Sequence, residues 1–249
     1  MVICLGKKIT QSLNWIVRQT VEVETNIVSV ERVLEYAALP SEAREVIPGQ
    51  RPSTSWPASG AVSFHNYSTR YRPGLDLVLK DINLDIMPRE KIGIVGRTGA
   101  GKSSLTLALF RIIEAADGHI SIDSLNTSGI GLKDLRQRLA IIPQDASLFE
   151  GTIRDNLDPS HVHDDTELWT VLELSHLKEK VSSMNGKLDA QVLEGGSNLS
   201  AGERALVNLA RALLTPSNIL VMDEATGSID VCSPAALGAF SFHSESLAN

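Results

Sequence analysis

Eight consecutive residues, Gly96-Arg97-Thr98-Gly99-Ala100-Gly101-Lys102-Ser103, combine three glycines with a lysine and a hydroxyl. They fit G-x-x-x-x-G-K-[ST], a turn whose backbone N–H groups surround phosphate oxygens while the lysine reaches the terminal phosphates and the hydroxyl reaches Mg²⁺. Farther along, the apolar run Ile219-Leu220-Val221-Met222 ends in Asp223-Glu224. Carboxylates at the carboxyl end of a buried strand can hold Mg²⁺ through water and polarise an attacking water. Alone, such a pair reads better as surface acids, and the upstream glycine loop decides for chemistry. Between the two lies Leu199-Ser200-Ala201-Gly202-Glu203, where Ser200 followed three residues later by Glu203 makes a capping box at a helix start.

These groups work only if strands and helices bring them together. Lys91-Ile92-Gly93-Ile94-Val95 reads as a strand feeding the glycine loop, and residues 103–113 read as the helix after it, the context a phosphate loop requires. Further strands fit residues 62–67, 77–86, 119–123, 139–142 and 218–222, and helices fit 132–138, 164–177 and 200–214. Alternating strands and helices argue for an α/β layer with a mainly parallel sheet. Ahead of it, Ile16, Thr20, Val23, Ile27, Val30 and Leu34 recur at helical spacing with Glu22, Glu24, Glu31 and Arg32 between them. One long amphipathic helix is expected to about Tyr36, and periodicity alone is equally that of an ordinary surface helix. Pro40, Pro48, Pro52 and Pro57 then mark a linker over residues 40–60.

Composition narrows the partners. The chain has 249 residues, 43% of them hydrophobic, enough for a packed core, and a formal net charge of -7. Without a general basic field, a bound anion must be held by local geometry, and nucleic acid is not an expected partner. Cys4 and Cys232 lie too far apart for a metal spacing or a disulfide framework, which fits a reducing, cytosol-facing location. The opening run Val2-Ile3-Cys4-Leu5 meets Lys7 and Lys8 at once, too short to span a membrane.

With these motifs in this order, residues 13–230 resemble the nucleotide-binding domain of an ATP-binding cassette (ABC) transporter, and Gly96-Arg97-Thr98-Gly99 with Glu31-Arg32-Val33-Leu34-Glu35-Tyr36 is most similar to the second such domain of subfamily C, the multidrug-resistance-associated exporters. The resemblance implies a P-loop NTPase core with a small helical subdomain at about 145–200, a nucleotide-binding domain over 61–249, and residues 1–39 as the cytosolic end of the last transmembrane-domain helix. It implies ATP and Mg²⁺ as cofactors, with Gly96 through Ser103 and Ser104 on the phosphates and Ser103, Gln144 and Asp223 at the metal. Glu224 and Gln144 would be catalytic, Gln144 through Pro143-Gln144-Asp145, a Q-loop that also meets the membrane domain. Tyr71 takes the place of the adenine-stacking aromatic, with Tyr67 as competitor.

Ser200, Ala201, Gly202 and Glu203 match the family's signature, which binds the γ-phosphate held by a second nucleotide-binding domain. They depart from the usual Leu-Ser-Gly-Gly-Gln at Ala201 and Glu203, and a carboxylate there is electrostatically unwelcome. Asp230 in Ser228-Ile229-Asp230 resembles the D-loop. After it the family's next strand and switch histidine are not matched, His243 lacking an apolar strand before it, so an incomplete sheet truncated after the D-loop and weak or absent ATPase activity of the isolated chain are expected. The implied function is coupling of ATP binding and hydrolysis to transmembrane transport, with a membrane location and transmembrane-domain partners. A non-catalytic nucleotide-binding remnant is the alternative. A soluble ABC ATPase of nucleic-acid metabolism fits less well, because the interval from Gln144 to Ser200 is too short for coiled-coil arms.

Overall fold

A computed structural model describes residues 2–215 and 217–223. Glu224, Asp230, Cys232 and His243 therefore lie outside the described residues. The chain divides into two units, residues 1–43 and 44–249.

The first unit is one helix, α1 (Val2–Ala37). Every side chain from Gln11 to Ala37 is exposed, the apolar stripe included, with Ile16 at 53% and Leu34 at 62%. Thr20 and Thr25 donate their hydroxyls to the carbonyls of Ile16 and Val21 one turn back, which lets β-branched polar residues sit in a helix interior. Among the described residues no helix is long and apolar enough to cross a membrane.

The second unit begins with a stretch without helix or strand that is nonetheless fastened down. Arg51 forms a bidentate pair with Asp134, Trp56 is buried and donates Nε1–H to the Ile122 carbonyl, and the Asn218 amide donates to Pro57 O. The main sheet has the order β2-β1-β3-β4, formed by β1 (Val62–Thr69), β2 (Leu79–Ile86), β3 (Ala115–Ile122) and β4 (Leu125–Asn126), all antiparallel. Val62, Phe64, Ile120 and Ile122 alternate inward to make its core, with Leu135 of α3 (Leu132–Arg136) added. A bulge between His65 and Ser68 brings Gly118 against β1 with φ +71°. A Cβ at Gly118 would meet the carbonyl oxygens of His65 and Asn66 at 2.3 Å, so only glycine fits.

Parallel pairing is confined, among the described residues, to β5 (Leu139–Ile142) with β8 (Ile219–Met222). This corrects the expectation of a mainly parallel sheet. One cause is Lys91-Ile92-Gly93-Ile94-Val95, expected as the strand feeding the glycine loop, which joins no ladder and is exposed, Val95 at 97%. A parallel strand needs hydrogen-bonding neighbours and cover on both faces, and local apolarity supplies neither.

A second core is helical. The helices α4 (Ile153–Leu157), α5 (Asp165–Leu174), α6 (Lys178–Ser183) and α7 (Ala201–Leu214), with the short antiparallel pair β6 (Gly151–Thr152) and β7 (Gln191–Val192), bury Leu168, Leu172, Val181, Val192 and Val207 against one another. Three of these helices start on side-chain caps with complete capping boxes: Thr152 with Asp155, Asp164 with Glu167, and Ser200 with Glu203.

Candidate nucleotide site

The glycine loop runs from Gly96 into α2 (Lys102–Leu109), where Gly101 is the N-cap in the left-handed region at φ +89°. A Cβ at Gly101 would sit 3.0 Å from Leu79 Cδ2, so backbone conformation and space both call for glycine. Residues 96–100 are exposed, and no side chain caps the first turn of α2, leaving its N–H groups and positive dipole end directed at solvent. Lys102 curls back over the loop and donates Nζ–H to Gly96 O at 2.7 Å and, more weakly, to Arg97 O at 3.4 Å. Ser103 is exposed in the first helical turn, while Ser104 is buried and bonds through Oγ to the Tyr71 hydroxyl at 2.8 Å.

That bond sets Tyr71 beside the phosphate loop with its side chain half exposed at 51%. Tyr67 instead is a core residue, 3% exposed and edge-on to Phe64 at 5.8 Å, with burial pushing its phenol up. Of the two aromatics, only Tyr71 offers a ring face to a ligand.

Asp223 follows β8 and its N–H donates to Ile142 O, which fixes the carboxylate at the carboxyl end of the parallel pair. Lys102 and Asp223 line one cleft of about 290 Å³, together with Phe64, Leu105, Val221, Ile92 and Ile94. The loop cation and the strand-end carboxylate are thus brought to one site. An exposed hydroxyl at Ser103 and a carboxylate at Asp223 are the hard oxygen donors that suit Mg²⁺.

Gln144 follows β5 and is exposed. Just beyond it, Asn156 is fully buried and clamps the turn: it accepts from Phe149 N at 2.8 Å and donates to Phe149 O and Thr152 O at 2.9 and 3.0 Å. Arg211 of α7 reaches over the Phe149 ring, 5.8 Å from its centroid, and donates Nε–H to Asn156 O at 2.7 Å. The segment from Phe149 to Asn156 and α7 are therefore tied by hydrogen bonds, a link that no spacing in the sequence announced.

At the start of α7, Ser200 is exposed and Gly202 half-buried. Glu203 turns its carboxylate back onto the cap, accepting from Ser200 N at 2.8 Å, and pairs with Lys180 Nζ of α6 at 2.8 Å. The Lys180 bond and the cap together hold this carboxyl below the usual carboxylate range. Lys180 was missed in the sequence because nothing in its neighbourhood marks it.

Residues 79–227 match the family model described as ABC transporter. The chain is 64% identical over 225 residues to the metal resistance protein YCF1 of Saccharomyces cerevisiae and 58% identical over 224 residues to human ATP-binding cassette sub-family C member 3, in each case over 90% of this chain and 15% of the relative. It thus spans about 15% of the length of these curated relatives. Among solved structures, a bacterial Atm1-family ABC exporter with ATP bound superposes with a TM-score of 0.77 at 25% identity, over 89% of this chain and 38% of that one.

Proposed function

Because the chain belongs to the ABC transporter family, as a nucleotide-binding domain of the exporter type with its P-loop NTPase fold, we propose that it binds and hydrolyses Mg-ATP to drive transport by a larger subfamily C exporter at the cytosolic face of a membrane. Its partners in this reading are transmembrane domains and a second nucleotide-binding domain, with residues 1–39 as the end of the last transmembrane-domain helix, 40–60 as a linker and 61–249 as the nucleotide-binding domain.

The observation that carries the reading is the exposed glycine loop at residues 96–100, opening through the left-handed Gly101 onto an uncapped helix start with Lys102 in reach. The N–H groups of Gly96, Arg97, Thr98, Gly99 and Gly101 surround the β-phosphate, that of Ala100 joins them by giving up its 3.0 Å bond to Arg97 O, and those of Ser103 and Ser104 meet it from the first turn of α2. Lys102 exchanges the carbonyls of Gly96 and Arg97 for phosphate oxygens. Tyr71 stacks on the adenine. Ser103, Asp223 and Gln144 would hold Mg²⁺, which when bound neutralises charge on the phosphates. Glu224 polarises the attacking water, and Gln144 orients it. Ser200, Ala201, Gly202 and Glu203 present a helix start to the nucleotide of the second domain, and Asp230 lies in the D-loop that crosses to it.

Isothermal titration of the chain with ATP tests this. Mg-dependent binding that weakens at least about tenfold in Lys102→Ala is expected, from loss of a charge-assisted contact. Absent binding, or equal binding by the variant, would refute the reading.

A further inference from the structure

The signature start carries an acid where the resembled family has a glutamine, and the acid is not held away from the helix end. Its carboxylate folds back to within 2.8 Å of Ser200 N, level with the N–H groups that a phosphate would approach. An unpartnered charge at that point would cancel the positive end of the α7 dipole. One feature offsets it: Lys180 Nζ lies 2.8 Å from the other carboxylate oxygen. Ser200 Oγ serves the cap instead, accepting from Glu203 N at 3.2 Å.

Lys180 is held in place by its element. Its neighbour Val181 is 1% exposed in the helical core, so α6 presents the ammonium from a fixed base. The adjacent cation, Arg204, turns its guanidinium to the Leu199 carbonyl at 2.9 Å. Lys180 and Glu203 side chains are 44% and 24% exposed, so their pairing adds little to stability and its effect is on local charge.

We propose that Lys180 is an electrostatic positioning residue of the signature: by neutralising Glu203 it lets an acidic variant of the motif accept the terminal phosphate of a nucleotide held by a second domain. The inference rests on the proposed role of Ser200 to Glu203 as the receiver of that phosphate.

Sedimentation velocity of the full chain at low salt, titrated with Mg-ATP, reads the pairing of two copies through this motif. Lys180→Ala is expected to raise the Mg-ATP concentration for half-maximal pairing about three- to tenfold, an effect that shrinks in high salt. Lys180→Arg should stay within about twofold of the parent. In a Glu203→Gln background, Lys180→Ala should change nothing, because no carboxylate remains to neutralise. An unchanged Lys180→Ala, or an equal loss in both backgrounds, overturns the proposal alone. Ser200→Arg should abolish pairing in every background. If it pairs like the parent, or if the parent does not pair with Mg-ATP, the signature reading falls and this inference with it.

Discussion

Replacing Asn156 by alanine should unfold this domain more readily than any surface change. The side chain is fully buried and makes three short hydrogen bonds, one accepted from Phe149 N and two donated to Phe149 O and Thr152 O, besides a long one accepted from Arg211 Nη2 at 3.5 Å. At about 1 kcal/mol net for each bond, the truncation costs about 3 kcal/mol, and the groups left without partners near Leu148 and Ile153 keep the figure from falling lower. A loss of about 3 kcal/mol is a large share of the roughly 5–15 kcal/mol that holds a domain folded. Urea unfolding of the chain, followed by circular dichroism, measures it as a lower midpoint at nearly constant slope. Asn156→Asp sharpens the test, since it keeps the acceptor for Phe149 N but turns a charge toward two carbonyl oxygens, and it should be at least as damaging. An Asn156→Ala variant within about 1 kcal/mol of the parent would refute the reasoning, because it would mean that water replaces the amide at no cost.

Two other changes go in different directions. Asn208 on α7 is 3% exposed, and among the described residues neither its Nδ2 nor its Oδ1 has a partner, so Asn208→Leu should raise stability by about 1–3 kcal/mol in the same urea assay. For Asp123, burial works against the charge, yet the Ser59 hydroxyl and the N–H groups of Ser59, Ala61 and Gly60 together hold the carboxyl below its usual range. The unfolded chain then binds the proton first, so this stabilisation is full above the unfolded carboxylate value of about 3.9 and is lost as pH falls through the lower folded value. Urea midpoints at pH 6 and pH 3 should differ less in Asp123→Asn than in the parent.

Elements with a chemical signature at their ends could be read from sequence, whereas those that depend on distant neighbours could not. The capping box at Ser200 and Glu203 marked the start of α7, and the helix indeed runs from Ala201 to Leu214. The glycine loop was legible because Gly101 needs a backbone that other residues avoid. For Lys91 to Val95 the apolar run gave the wrong answer, since strand identity is conferred by partners across a ladder. β3 extends back to Ala115, well before the expected His119, because the bulge at Gly118 lets Asp117 and Ala115 keep pairing with β1. Lys180 and Arg211 were invisible as site elements for a related reason: each matters through a contact across the helical core, with Glu203 and with Asn156 and Phe149.

The way Lys102 rests on its own loop changes what a binding measurement compares. Its ammonium already spends donors on Gly96 O and Arg97 O, so a nucleotide does not enter a bare cationic socket. It trades places with two main-chain oxygens, which must then turn to solvent, and the free energy of capture is a difference between two satisfied arrangements. A glutamine at position 102 could still donate to Gly96 O without offering a charge to phosphate, and would separate the lysine's service to the resting loop from its service to the ligand.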